Sequence, residues 1–414
     1  MKTYQIILFA TAISIQAVAQ GRGIYPQDMN TNVRPGDDFY EYAGGGWMKA
    51  HPLTAEYASY GIFNDLAEKN RLQLQELFDN LQKEKHAFGT VGQKVTDLYN
   101  LAMDSVRLNS EGAAPLKADL DALKQFKKAD LTAFIAHQHM ENGNPFFSIG
   151  VMADLANSSM NVIYMEAGTG GMPDRDYYLN TDAESKANQK AYKEMLTKLF
   201  TLSGYTAKEA ARMTKTIYDI EYKFAQTCMT RTEMRDFTKL YNIYTIDMLQ
   251  QEFPAINWTE YFRLMGLENA TQVVLEQPRM MALANDMMTK LTEQQIRDYV
   301  AGIIITDATG YLSDEIAETA FDFYGRRLSG QQERKPRWKR AQGYPNSLLG
   351  EAVGQLYVEK YFPQESKIKM QKLIQNLRKA LAQHIVALDW MSPETKLNAL
   401  VKLNSFTVKV GYPD

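Results

Sequence analysis

The chain has 414 residues, of which 45% are hydrophobic, 23% charged and 11% aromatic, and it carries 46 Lys+Arg against 49 Asp+Glu for a formal charge of −3. That composition excludes a disordered or collagen-like chain, and the near balance of charge removes a sequence-wide electrostatic case for nucleic acid. A length of this order leaves room for a large core or for more than one domain.

Lys2, the mostly apolar run from Ile6 to Ile15 and the small-x-small pattern Ala17-Val18-Ala19 read as a secretory signal peptide over residues 1–19, cut after Ala19. The expected location is therefore periplasmic or extracellular. No later stretch has the roughly 18 uninterrupted apolar residues of a membrane helix, so no membrane span is expected. An N-terminal arm covers 20–58, Gly/Pro/Asp-rich from Gly21 to Asp38, and a helical lobe is expected over 59–414. The lobe opens on an amphipathic helix in which Ile62, Phe63, Leu66, Leu74, Leu77, Phe78 and Leu81 recur at helical spacing. Further helical patterns run from about 92 to 104, 115 to 127, 130 to 141, 183 to 203 and 206 to 229, with Gly204 as a stop. Two stretches, 145–152 and 160–165, alternate as a β-hairpin should. Helical patterns resume over about 291 to 306, 312 to 330, 346 to 362, 365 to 389 and 393 to 404. Thr292 with Gln295 forms a capping-box pattern, and Ser392 precedes a first-turn proline at Pro393. Met370, Leu373, Ile374, Leu377, Leu381, Ile385 and Leu388 form one stripe that predicts a core helix, and Phe406 to Tyr412 alternates like a strand. The expected fold is mainly α, a large multi-helix lobe with a small β-hairpin element.

Candidate chemistry is sparse. The histidines are His51, His86, His137, His139 and His384, and none belongs to an HExxH run. His137 and His139 are two apart, so on a helix they point to different faces and fit no common ion. Cys228 is the sole cysteine, which excludes an intrachain disulfide and reads as a small core residue. Gly168-Thr169-Gly170-Gly171 lacks the spacing of a phosphate loop and reads as a flexible turn. The loops 142–145, 168–176 and 331–336 are expected at the surface. Arg334, Lys335, Arg337, Lys339 and Arg340 surround Trp338; a phosphate or nucleic-acid strand competes there with a solvated or internally paired face, which the net charge favours. The 21 methionines read as gap-filling core.

Four separated words carry a more specific message. Arg34 to Tyr42 followed by Gly45-Gly46-Trp47, then Pro173 to Leu179, Leu356 to Phe362, and Asp389 to Lys396 followed by Lys409 to Asp414, resemble in order the neprilysin-like zinc metalloendopeptidases. Gly44 departs from that pattern, in which an Asn commonly precedes the glycine. The resemblance implies an N-terminal, non-catalytic lobe that encloses peptide substrates. It implies that zinc, its HExxH ligands and the Asn-Ala segment that aligns substrate belong to a C-terminal catalytic domain beyond Asp414, on the same or a separate chain. Catalytic and metal residues are therefore expected to be absent from this chain, which by itself is expected to be inactive. Ser59, Phe63, Asn64 and Ala67 are the substrate-cavity candidates that the resemblance supplies. Animal members of the family carry arginines at the positions matching Ser59 and Ala67, so their absence implies endopeptidase rather than carboxydipeptidase behaviour. The alternatives are a stand-alone helical protein that binds a peptide or partner, and one half of a split enzyme.

Overall fold

The computed structural model describes residues 24–141, 143–168 and 170–413. The expected signal peptide at 1–19 lies outside the described residues, as do Asn142 and Thr169. The chain divides into two compact units, one ending at Asn70 and one running from Arg71.

In the first unit, helix α1 (Phe39–Ala50) starts where the Asp38 carboxylate accepts the Glu41 N–H at 2.9 Å. Gly46 sits on α1 where a Cβ would fall 2.3 Å from the Gln27 carbonyl oxygen, so the arm can lie against the helix only at a glycine. Trp47 stacks on His51 at 4.4 Å and on Tyr60 at 6.1 Å. Helix α2 (Ile62–Leu81) begins in this unit and continues into the second.

The second unit is built on long helices with clear starts. Alongside α2 runs α3 (Val91–Met103), and the buried Leu74, Leu77, Phe78 and Leu81 of α2 meet Val95 and Tyr99 of α3 in a small core of their own. The large core gathers α4 (Leu131–Met140), α5 (Arg175–Leu179), α6 (Ala183–Leu202), α7 (Ala207–Thr227), α8 (Trp258–Leu264), α9 (Pro278–Lys290), α10 (Glu293–Ala308) and α11 (Asp314–Phe321). Helix α6 ends at Gly204, whose φ of 90° lets the Tyr205 N–H return to the Phe200 carbonyl at 3.1 Å. Capping boxes open α7 (Thr206 with Glu209) and α10 (Thr292 with Gln295). Along α7 the residues Ala210, Met213, Ile217, Ile220 and Phe224 are buried, one apolar stripe at three- and four-residue steps. Many methionines, among them Met213, Met280, Met281, Met287 and Met288, are core. The chain closes with α12 (Arg337–Ala341), α13 (Gly350–Tyr361), α14 (Gln364–Ala387) and α15 (Pro393–Asn404).

The expected hairpin is present as β1 (Phe147–Ala153) paired antiparallel with β2 (Asn161–Ala167). It belongs to a mixed sheet of order β1-β2-β4-β3, where β3 (Asn242–Thr245) and β4 (Gln272–Leu275) add one antiparallel and one parallel pairing. These two strands have four residues each, too few for period-2 alternation to stand out.

Three expectations need correction. The 406–412 tail forms no strand; Gly411 turns there at φ 77°, and the Lys367 ammonium holds the Tyr412 carbonyl at 2.8 Å. The first two turns of α2 are not core, since Ile62, Phe63 and Leu66 are exposed. The stripe on α14 is not core either: Met370, Leu373, Leu377 and Leu381 are 40–61% exposed, and only Ile385 at its far end is buried. Leu397 and Val401 on α15, and Trp390 between the two helices, are exposed as well. Amphipathic spacing identifies a face that wants a partner, and within the described residues the middle of that face of α14 is left largely exposed.

Candidate functional site

The four cavity candidates lie together at the start of α2. Ser59 is exposed in a bend, and Asn64 accepts the Gly61 N–H at 2.9 Å while its own N–H returns to the Gly61 carbonyl at 2.9 Å. That reciprocal pair caps the helix and fixes where the next turn points. Phe63 is 84% exposed, so it is not helix core, and Ala67 is half-buried one turn on. Ile62, Phe63 and Leu66 make this end of the helix an apolar surface without a charged side chain at Ser59 or Ala67. Such a surface can contact apolar side chains of a ligand and offers no guanidinium to a carboxylate.

A second polar centre, invisible to motif reading, sits inside the large core. Glu221 on α7 is buried, and it accepts from the Gly171 N–H, the Tyr192 hydroxyl and the Tyr178 hydroxyl, each at 3.0 Å. Tyr178 in turn accepts the Met172 N–H at 2.9 Å, and the Tyr324 hydroxyl donates to the Gly171 carbonyl at 2.8 Å. Burial pushes the Glu221 carboxyl up to about 7 and raises the Tyr178 and Tyr192 hydroxyls well above their usual range. Gly171 is required here because a Cβ would fall 1.9 Å from the Tyr192 hydroxyl. The expected flexible surface turn is therefore a clamped segment with Met172 buried. Cavities of about 260 and about 250 Å³ flank the clamp, and Glu221 lines both. With both carboxyl oxygens engaged, this group holds a loop rather than activating water.

The remaining candidates resolve simply. His139 is buried with Nδ1 2.6 Å from the Tyr261 hydroxyl, and burial lowers it to about 4, so it stays neutral. His137 is exposed on another face of α4. Cys228 is half-buried against the large core, its thiol raised by burial. In the basic cluster, Arg334, Arg337 and Arg340 turn toward Asp314, and Arg334 also toward Glu318. Among the described residues, no three His, Cys, Asp or Glu side chains are grouped so as to hold a metal ion, and no helix is long and apolar enough to cross a membrane. A zinc ion does not fit the donors described.

The sequence words turn out to be joints of this structure. In 173–179, Asp174 caps α5, Arg175 donates to the Cys228 carbonyl at 2.8 Å and Tyr178 reaches Glu221. In 356–362, Tyr357 donates to Gln73 at 2.7 Å, while Lys360 and Tyr361 hold Glu76 at 2.6 and 2.7 Å, which ties α13 to α2. In 389–396, Ser392 caps α15 and Lys396 donates to the Val386 carbonyl at 2.9 Å. Comparison with known proteins agrees, since the description of Peptidase family M13 matches residues 35–413.

The chain belongs to peptidase family M13. Neprilysin-11 of Caenorhabditis elegans is 28% identical to this M13 chain over 411 residues, covering 93% of it and 48% of that protein. Endothelin-converting enzyme 1 of Bos taurus is 26% identical over 401 residues, covering 93% and 52%. The crystal structure of Mycobacterium tuberculosis zinc metalloprotease Zmp1 in complex with inhibitor superposes with a TM-score of 0.86 at 28% identity, over 94% of this chain and 59% of that one. PepO from Lactobacillus rhamnosis shares the fold, with a TM-score of 0.77 at 21% identity, over 92% and 60%. The M13 chain thus spans about half the length of the curated relatives it matches. Its fold is that of an M13 peptidase lobe, mainly α with a small mixed sheet.

Proposed function

We propose that this chain is the N-terminal, substrate-enclosing lobe of an exported zinc metalloendopeptidase acting on peptides, and that it is inactive by itself. The observation that carries this reading is the exposed apolar stripe of α14. A stripe of leucines at core spacing is a surface made to be covered. In relatives, about half of the length lies outside the part this chain matches, which supplies an occupant of the right kind: a catalytic domain, on the same or a separate chain, bearing zinc and the residues that activate water. The names of the relatives support proteolysis of peptides, and the short apolar start of the chain with Ala17-Val18-Ala19 supports export to the periplasm or medium.

On this reading Ser59, Phe63, Asn64 and Ala67 face the substrate, with Phe63 against an apolar side chain following the scissile bond. Because neither Ser59 nor Ala67 is an arginine, amidating a substrate's C-terminus is expected to change kcat/KM of the assembled enzyme by less than about tenfold. A loss of a hundredfold or more on amidation contradicts this assignment.

The native gene product, isolated from its own cells, tests the whole reading through its intact mass and zinc content. The expected result is zinc and chelator-sensitive peptidase activity in a species larger than the 47.1 kDa of this chain, or in a stable complex containing it. A free, zinc-free monomer of no more than that mass, binding peptide without cleaving it, overturns the reading in favour of a stand-alone binding protein.

A further inference from the structure

The mixed sheet has two outer strands, β1 and β3, and their edges differ. β3 has four residues, short enough to offer little to another strand. β1 has seven, and its pairing with β2 runs without interruption from Phe147 opposite Ala167 to Ala153 opposite Asn161. The Gly168 N–H donates to the Phe146 carbonyl and the Asp154 N–H to the Met160 carbonyl, both at 2.9 Å, so in this antiparallel ladder the even-numbered residues of β1 bond β2. The N–H and C=O groups of Ile149, Val151 and Ala153 therefore point along the outer edge, and no hydrogen bond from the described residues reaches them.

Edges of this length are ordinarily blunted by a lysine, a proline, a bulge or a covering element. β1 carries no charged residue and no proline, and its register has no bulge. Its second half is open as well. Val151 and Met152 are 56% and 54% exposed, and nothing lies within 4 Å of where a Gly150 Cβ would stand. A row of donors and acceptors at strand spacing is satisfied along its whole length by one class of ligand, an extended backbone. Side chains of such a strand would lie beside Val151 on one face and beside Gly150 and Met152 on the other. Apolar or aromatic residues suit both places, whereas a charge there would meet no partner on β1.

We infer that the outer edge of β1 is a docking site for an extended peptide of about five or more residues with an uncharged, apolar centre, which adds antiparallel to the four-stranded sheet. A second copy of the chain is the poorer occupant. Antiparallel pairing of β1 with its own copy would bring each hairpin tip, 154–160, against the body in which Phe146 and Phe147 are buried. The site uses main-chain groups of the sheet and none of the residues at the start of α2, so it is separate from the substrate surface proposed there.

Fluorescence anisotropy and amide hydrogen exchange on the full chain test it, with the labelled peptide acetyl-Thr-Val-Thr-Tyr-Thr-Val-Thr-amide as probe. Two control peptides are N-methylated at alternate residues, one on the valines and tyrosine and one on the threonines, which removes the donors of one edge at a time. The expected result is saturable binding of the probe below about 1 mM, with slower exchange at the Ile149, Val151 and Ala153 amides. At least one methylated peptide is expected to bind about tenfold or more weakly. Val151→Pro removes an outward N–H that the fold does not use, so it is expected to keep the melting temperature within about 3 °C and to weaken peptide binding about tenfold or more. The exchange pattern of the wild type decides by itself where that variant does not fold. Phe63→Ala is expected to bind the probe as the wild type does. No saturation at millimolar peptide, binding without protection of 147–153, undiminished binding of both methylated peptides, or binding lost in Phe63→Ala and kept in folded Val151→Pro overturns the inference. Protection of the same amides in concentrated, peptide-free chain also overturns it, in favour of a second copy.

Discussion

Glu221→Ala is expected to destabilise the unit from Arg71 onward by about 3 to 5 kcal/mol, measured by denaturant unfolding at neutral pH. The substitution strands the Gly171 N–H and the Tyr192 and Tyr178 hydroxyls, all placed on the Glu221 carboxyl at 3.0 Å, and leaves a hole between two existing cavities. Each buried donor left unmade costs about 1 to 3 kcal/mol, and the hole adds to that. Glu221→Gln is expected to cost much less, because an amide keeps one acceptor and one donor face, as a protonated carboxyl does. The two variants also separate charge from contact. The native carboxyl titrates at about 7 against an ordinary 4.5, raised by burial. Between those values the folded chain keeps a proton that the unfolded chain has released, so this group's contribution to stability falls as pH rises through the window and is level above it. The loss is on the order of 3 kcal/mol across the window, and Glu221→Gln is expected to lack that slope. A wild type and Gln variant with parallel stability profiles from pH 4.5 to 7 would show that Glu221 is ionised throughout.

The second large effect concerns the open face of α14. Leu373, Leu377 and Leu381 are about half exposed, so covering them is worth roughly 1 kcal/mol each, or about a hundredfold in association for the three. The purified chain is expected to bind a hydrophobic dye and to self-associate at tens of micromolar, on the order expected for an apolar patch of this kind. With all three leucines changed to glutamate, dye binding and self-association are expected to disappear while the melting temperature moves little, since exposed positions contribute little to the fold. A lower melting temperature with unchanged association would instead place these leucines inside the lobe's own core. A wild-type chain that stays monomeric and binds no dye would remove the docking face altogether.

Helices were legible from sequence wherever periodicity and caps agreed, as with Thr292 and Gln295 or Ser392 and Pro393. The hairpin was legible because each strand has seven residues, whereas β4 was not, because Gln272–Leu275 is an apolar run too short to distinguish strand from helix. The α14 stripe was read correctly as apolar and wrongly as covered, since periodicity reports a preference for burial without naming the partner. Glu221 left a signal that went unread: it lies four residues after Ile217 and three before Phe224, an acidic residue in the middle of a core stripe. A charge at such a position needs donors, and Tyr178 in the family-like word 173–179 is one of them. Arg334, Arg337 and Arg340 belong to a basic run that sequence reads as solvated or internally paired, and their approach to Asp314 makes it the paired alternative.

The most direct test of the central claim is the cleavage of an internally quenched peptide library by this chain purified by itself, with zinc supplied and with chelator as control. The expected result is no chelator-sensitive cleavage, because the chain has no HExxH and its described residues offer no grouped metal donors. Zinc-dependent cleavage that copurifies with the chain and is abolished by chelator would contradict the claim that it encloses substrate for a catalytic centre held elsewhere.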